Sequence, residues 1–318
     1  MSIILVTGIS GYIGGQVALK LADQGRQVVG VDLQPLPGHL EGKFHFVQCD
    51  FDSDEFDKLV LEAQPDAIVH CAGTSLVGPS VADPQPYFDN NLVKPIRLLD
   101  KIKDVFPWHP KIIFSSSAST YGNPIMVPCQ EVDPAEPISP YGQSKLAIEW
   151  ALEAYCRAYG QEYVAFRFFN ACSADPETRH GQEPGATHII ARVLESIRDN
   201  TDFLIYGNDY PTADGTCVRD YIHVDDIAEA HARAIGQDIP SGVYNLGTKL
   251  GHSNLEIVRM AEQVTGQRVN LSIGGQRAGD PAQLTADADK FAQAAGWAPK
   301  YTLEDIINHA WAWYNRQK

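Results

Sequence analysis

The sequence lacks any long apolar run. Near its start the longest is Ile3 to Val6, too short for a signal peptide or a membrane span, and it passes straight into Thr7-Gly8. A cytoplasmic protein is expected. It also lacks CxxC spacing: Cys49, Cys71, Cys129, Cys156, Cys172 and Cys217 are scattered, which suits reduced thiols better than a disulfide frame or zinc site. No metal site is expected. Positive charge is in deficit, with 25 Lys and Arg against 40 Asp and Glu and a formal net charge of -15. A general affinity for nucleic acid or an anionic membrane is thereby excluded, whereas a local basic patch for a small phosphorylated metabolite is not. Repeats and low-complexity linkers are absent too. What is there is 318 residues of 44% hydrophobic content, enough for one large or two smaller folded domains.

The stretch Ser2 to Thr7 is β-branched and apolar, as expected of a parallel strand covered on both faces. Gly8-Ile9-Ser10-Gly11-Tyr12-Ile13-Gly14-Gly15 follows it. Glycines at 8, 11 and 14 permit a tight turn, a close approach of backbone to a pyrophosphate, and tight packing of the next helix, expected from Gly11 to about Gln24. A second strand, Gln27 to Val31, ends in Asp32, whose carboxylate can accept from ribose hydroxyls and repels a 2′-phosphate. Residues 33 to 36 hold no Arg or Lys, so NAD is expected rather than NADP. A third strand, His45 to Gln48, leads to Asp50, an acceptor for the adenine amino group or a cap for the following helix. The fourth, Ala67 to His70, runs into Cys71-Ala72-Gly73, small enough for backbone to lie against a cofactor. A long helix is expected from about Pro86 to Phe106; Asn90 and Asn91 within it either touch the cofactor or hold backbone at a strand end.

The fifth strand, Lys111 to Phe114, delivers Ser115, Ser116, Ser117 and Ser119 to the strand end where this architecture places its chemistry. Ser139 and Pro140 then make a helix start, one as N-cap and the other at the first helical position. Tyr141 and Lys145 are four residues apart and leave that helix on one face. A fixed ammonium favours a phenolate, so the pair reads as a tyrosine base with a lysine that lowers its pKa, and one of the serines is expected to face Tyr141.

Taken together, Thr7-Gly8-x-x-Gly11-x-x-Gly14, Asp32, Asp50, Ser115-Ser116-Ser117 and Tyr141-x-x-x-Lys145 resemble the extended short-chain dehydrogenase/reductases of the NAD-dependent epimerase/dehydratase type. Arg167-Phe168-Phe169-Asn170, Tyr206 to Thr212, Asp214 to Val224 and Arg277-Ala278-Gly279-Asp280 are similar to the UDP-glucose 4-epimerase branch, so the resemblance spans nearly the whole chain. It implies an α/β fold: a Rossmann, doubly wound parallel sheet with a smaller α/β C-terminal lobe. The NAD-binding domain would be residues 1–170 with a returning segment at about 217–246, and residues 171–318 would mainly grip the nucleotide-sugar. The pattern after Asn170 agrees, turning irregular before a helix from about His188 to Arg198 and a return to the sheet near Val243 to Leu246.

The resemblance places Gly8, Gly11, Tyr12, Ile13, Gly14, Asp32, Asp50, Phe51, Cys71, Ala72, Gly73, Asn90, Ser115, Tyr141, Lys145 and Phe168 around NAD. It puts Ser117, Ser119, Tyr141, Asn170, His188, Ile189, Tyr206, Arg219, Arg277 and Asp280 around a UDP-sugar, with Tyr206 against the uracil and the two arginines on the diphosphate. Ser117, Tyr141 and Lys145 would be catalytic. The reaction implied is 4-epimerisation through a transient 4-keto sugar, with UDP-glucose and UDP-galactose as the first expectation; UDP-N-acetylhexosamines, UDP-uronates and UDP-pentoses, or reduction or dehydration of a nucleotide-sugar, are alternatives. A dehydratase is disfavoured because Ala118-Ser119-Thr120 offers no carboxylate beside the hydroxyl, and a non-catalytic NAD sensor has no use for Tyr141 with Lys145 and Ser117. Three places depart from the pattern. Ser75 stands where many relatives have a cofactor-contacting Lys, Leu284 where they have Tyr or Cys, and Thr187 to Ala191 replaces a segment usually containing Asn or His followed by Leu and Pro. Arg179, His180 and Arg192 are candidates to meet a uronate carboxylate. A homodimer is expected through the helices at about 86–106 and 140–159.

Overall fold

A computed structural model describes residues 2–276 and 281–316. The strands are β1 (Ile3–Thr7), β2 (Gln27–Asp32), β3 (His45–Gln48), β4 (Ala67–His70), β5 (Lys111–Ser117), β6 (Tyr163–Phe168), β7 (Asn170–Cys172), β8 (Asp202–Tyr206), β9 (Val218–His223), β10 (Gly242–Leu246), β11 (Gly251–Ser253), β12 (Asn270–Gly274) and β13 (Gln283–Leu284). The helices are α1 (Tyr12–Asp23), α2 (Asp54–Ala63), α3 (Val77–Ala82), α4 (Gln85–Phe88), α5 (Lys94–Asp104), α6 (Pro140–Tyr159), α7 (Ile189–Asp199), α8 (Val224–Gly236), α9 (Asn254–Thr265), α10 (Asp289–Ala295) and α11 (Leu303–Asn315).

The near-continuous apolar runs pair in parallel, in the order β10-β6-β5-β4-β1-β2-β3. This is the Rossmann arrangement, and the order reverses between β1 and β4, where successive crossovers go opposite ways and leave a crevice at the strand ends. One face is sealed by Val17, Leu21, Ile227 and Ala230 from α1 and α8, the other by Phe56, Leu98, Ile148 and Leu152 from α2, α5 and α6. The smaller lobe has its own core, in which Ile190 and Leu194 of α7 meet Phe203, Ile257, Ile307 and Trp313. Short strands β7, β9, β11 and β13 form one small sheet and β8 with β12 another.

Two local features set the site. Ser139 caps α6, its hydroxyl accepting from the Gly142 N–H at 3.2 Å with Pro140 at the first helical position, so the helix begins where the cleft needs it. The expected single helix from Pro86 to Phe106 is instead α4, a π turn over Asp89–Val93, and α5. The wider turn is what turns Asn90 and Asn91 toward the loop after β4. The Asn91 amide accepts from the Thr74 N–H at 2.8 Å and donates to the Thr74 carbonyl at 2.9 Å, while Asn90 donates to the Thr74 hydroxyl at 2.9 Å. Asn91 holds backbone, the structural one of the two expected roles, while Asn90 bonds a side chain and lines the cleft beside the loop.

Candidate active site

Where β1 passes into α1 the backbone leaves no room for a side chain at Gly8 or Gly14. Gly8 has φ +75°, and a Cβ there would sit 2.6 Å from the Ala72 nitrogen; a Cβ on Gly14 would sit 2.1 Å from the Gly8 carbonyl oxygen. The N-terminus of α1 has no side-chain cap, so its first N–H groups are available to an anion. The Asp32 carboxylate, at the end of β2, accepts from the Ser10 N–H at 3.0 Å and the Gln34 N–H at 2.9 Å. It ties the turn to the strand end. A cleft of about 350 Å³ opens here, lined by Gly8, Gly11, Asp32, Asp50, Phe51, Cys71, Ala72, Gly73 and Asn90, and also by Leu33, Gln34 and Lys94. Lys94 reaches Asp50 at 2.6 Å. Sequence reasoning missed it; Lys94 begins α5, out of step with the strand ends that supplied the other expectations.

A second cavity of about 780 Å³ shares Gly8, Gly11, Cys71, Gly73 and Thr74 with the first and continues past Tyr12, Ile13, Gly14, Ser115, Phe168 and Leu284. Ser117, Ser119, Tyr141 and Lys145 meet in it. The Ser117 hydroxyl faces the Tyr141 phenol closely enough to oppose the rise in its pKa, and it donates to the Ser119 hydroxyl at 3.2 Å. Lys145 Nζ donates to the Ser115 carbonyl at 2.9 Å and lies 6.0 Å from the centre of the Tyr141 ring. The expected electrostatics differ. Burial pushes the Tyr141 phenol up, only partly opposed by Ser117, and burial pushes the Lys145 ammonium down to about 8. In the chain by itself the lysine therefore does not make tyrosine a base, because desolvation outweighs a charge that is turned toward a carbonyl. Tyr12 lines this cavity but spends its hydroxyl on the Ser173 carbonyl at 2.8 Å, joining the two lobes.

A third cavity of about 200 Å³ shares Asn170, Thr187 and His188 with the second and adds Ile189, Arg192, Tyr206, Arg219 and Asn254. The three cavities thus form one continuous groove. The Asn170 amide donates to the Asp220 carbonyl at 2.9 Å, holding β7 to β9. Asp220 itself is buried, accepting from the N–H groups of Thr248 and Ala286, so its carboxylate fixes a loop and lines none of the three cavities. Burial lowers the pKa of His188, which leaves it neutral. Arg277 and Asp280 lie outside the described residues.

Two of the three candidates for a uronate carboxylate are excluded. Arg179 is spent on Asp23 and Asp175, both at 2.8 Å, and His180 is buried between the Tyr12 carbonyl at 3.0 Å and His39 at 2.9 Å. Arg192 opens onto the third cavity and not onto the one that holds Tyr141. Among the described residues lining the Tyr141 cavity, Lys145 carries the one formal charge. No group of three or more His, Cys, Asp or Glu that could hold a metal occurs among the described residues, and no helix is long and apolar enough to cross a membrane.

Comparison with known proteins agrees with this geometry. The chain is 42% identical over 321 residues to the UDP-glucose 4-epimerase of Halalkalibacterium halodurans, covering 98% of this chain and 95% of that one. The fold matches the UDP-glucose 4-epimerase of Brucella ovis in complex with NAD at a TM-score of 0.93 and 37% identity, over 98% of each chain. It matches the UDP-glucose 4-epimerase of Stenotrophomonas maltophila, with bound NAD and formylated UDP-arabinopyranose, at 0.94 and 33%, over 100% of this chain and 99% of that one. Residues 4–247 match the model of the NAD dependent epimerase/dehydratase family. With these likenesses, the glycine turn and the Tyr141, Lys145 and Ser117 cluster in one groove, the chain belongs to that family.

Proposed function

We propose that the chain is an NAD-dependent nucleotide-sugar 4-epimerase that interconverts UDP-glucose and UDP-galactose. The observation that carries this reading is the Tyr141 and Ser117 pair at the junction of the groove, with Lys145 behind it. The groove fits a dinucleotide: a cradle at Gly8 and Gly14 that no Cβ can enter, an uncapped helix N-terminus, and the Asp32 carboxylate that disfavours a 2′-phosphate. When bound, NAD supplies a hydride acceptor for C4 of the sugar and a positive ring charge. Tyr141 takes the proton of the 4-hydroxyl and gives it back, and Ser117 holds the same oxygen through its hydroxyl. Lys145, anchored on the Ser115 carbonyl, keeps a positive charge beneath the phenol. Tyr206 and Arg219 grip the nucleotide end, with Arg277 and Asp280 assigned to the same end from the motif they form. Binding held on the half that does not react leaves the sugar free to turn.

The wall around Tyr141 favours a neutral sugar, since an unpaired carboxylate would be costly there. Leu284 in that wall gives an N-acetyl group space without a hydrogen bond, so UDP-N-acetylhexosamines are the second reading. The turn Ala118–Thr120 brings no carboxylate to the reacting carbon, which speaks against dehydration. Residues 1–170 with about 217–246 would hold the cofactor and the remainder mainly the substrate. The protein would be a cytoplasmic homodimer paired through the helices at about 86–106 and 140–159, where Trp150 of α6 is 62% exposed and Val93, beside α5, 39%. The test is to incubate the purified protein with UDP-hexoses, UDP-pentoses, UDP-uronates and N-acetylated forms without added reductant. Inversion at C4 of UDP-glucose and UDP-galactose, with UDP-uronates unreacted, is the expected result; conversion of UDP-glucuronate would overturn the neutral-sugar assignment.

A further inference from the structure

One turn beyond Lys145 on the same face of α6 lies Glu149, a carboxylate 3% exposed. Its Oε1 accepts from the Ser116 hydroxyl and from Arg167 Nε at 3.0 Å, and its Oε2 accepts from Arg167 Nη2 at 2.6 Å. Ser116 and Arg167 stand opposite one another in the β5 and β6 register, so one carboxylate fastens the helix to both strands. The Arg167 guanidinium lies 4.7 Å from the centre of the Tyr121 ring, and the Tyr121 hydroxyl donates to Asn245 of β10 at 2.7 Å. The fastening therefore extends across β5, β6 and β10. Ser116 directly precedes Ser117, which lines the same cavity as Tyr141.

Such a pair is a poor way to gain cohesion alone. Desolvating both ions costs about as much as their attraction returns, and packed apolar side chains would serve stability at least as well. What a bidentate pair adds is direction, because its two parallel hydrogen bonds resist rotation and sliding that an apolar helix face tolerates. We propose that Glu149, with Arg167 and Ser116, forms a positioning element that sets the rotation of α6 against the end of β5 and so holds Tyr141 against Ser117. This rests on the reading of Tyr141 and Ser117 as the reacting pair.

Lys145 offers a readout that a purely structural role would not move. The titratable groups facing it are Tyr141 and Glu149 on its own helix and His70 and Cys71 at the end of β4; Ser115 and Phe114 of β5 and Asn91 of the π turn contribute no charge. Cys71 and then Glu149 oppose the fall in the Lys145 pKa; burial holds His70 at about 3 and Cys71 at about 11, both neutral near pH 7, so of these two Glu149 is the one that is an anion there.

The experiment compares Glu149→Gln, Glu149→Asp and Ser116→Ala in the NAD-loaded enzyme, following kcat, KM for UDP-glucose and the alkaline limb of the kcat–pH profile. For Glu149→Gln, kcat falls about tenfold while KM stays within about twofold. Its alkaline limb moves to lower pH, because Lys145 loses its neighbouring anion, and Glu149→Asp restores the limb. Ser116→Ala, which removes one hydrogen bond and no charge, lowers kcat several-fold with KM unchanged and decides the matter if Glu149→Gln does not fold. Native kcat in Ser116→Ala, or a Glu149→Gln enzyme that loses only thermal stability while kcat and limb stay in place, overturns the proposal. Tyr141→Phe is run alongside: full turnover there would overturn the reading of the reacting pair, separately from the role of Glu149.

Discussion

Lys145 Nζ is bonded to the Ser115 carbonyl at 2.9 Å and stands 6.0 Å from the centre of the Tyr141 ring, so the lysine is fastened to the strand end before it serves the phenol. Lys145→Met removes both the anchor and the charge. Its kcat is expected to fall by about 10²–10⁴-fold, with nucleotide binding measured by calorimetry little changed, because the groups at Tyr206 and Arg219 are untouched. Equal losses in kcat and nucleotide affinity would show that Lys145 shapes the groove as a whole.

Tyr141 supplies a second prediction. Burial holds its phenol above the ordinary value in the unloaded chain. Loading with oxidised cofactor adds a positive charge and should bring the pKa down, seen as tyrosinate absorbance that appears at lower pH in the loaded protein and is missing from Tyr141→Phe. An unchanged titration on loading would contradict the assignment of Tyr141 as the base.

Much of this was legible in the sequence, and the exceptions have physical causes. The parallel strands were readable because both faces are covered, which removes polar alternation. The groove was readable because Gly8, Asp32 and Ser117 sit at strand ends, Gly14 in the first turn of α1 and Tyr141 at a capped helix start. Ion pairs between distant segments were not: Arg179 with Asp23, Lys94 with Asp50 and Glu149 with Arg167 depend on which elements become neighbours. The π turn at Asp89–Val93 was invisible for a similar reason, since its asparagines are satisfied by Thr74 across the cleft. The rise of the Tyr141 pKa in the unloaded chain was not legible, because spacing gives the position of Lys145 but not the desolvation around the phenol.

The glycine turn gives a third prediction. Gly14→Ala places a methyl group 2.1 Å from the Gly8 carbonyl oxygen, and backbone must move to admit it. A loss of about 1–3 kcal/mol in stability is expected, with a larger loss in NAD affinity than in UDP affinity. Calorimetric titration with each ligand separates the two, and equal weakening would contradict the placement of the dinucleotide.

Acid stability gives a fourth. His70, His180, His223 and His231 are buried and neutral, with burial holding them at about 3, 4, 3 and 4. Their folded values lie below the ordinary 6.5, so the unfolded chain binds protons first as pH falls. Stability is full above pH 6.5 and drains away toward pH 4, with close to four protons taken up on unfolding near about pH 5 from these groups. Denaturant melts across this range check it, and stability independent of pH between 6.5 and 4 would contradict the burial of these rings.

Isotope transfer tests the central claim most directly. UDP-galactose carrying deuterium at C4 is incubated with the NAD-loaded protein, and the UDP-glucose formed is resolved by NMR. Inverted product that keeps its deuterium at C4, with no reduced dinucleotide accumulating, is the result expected if the hydrogen removed from one face is returned to the other. Deuterium exchanged for solvent hydrogen, or carried away in a released reduced dinucleotide, would contradict it.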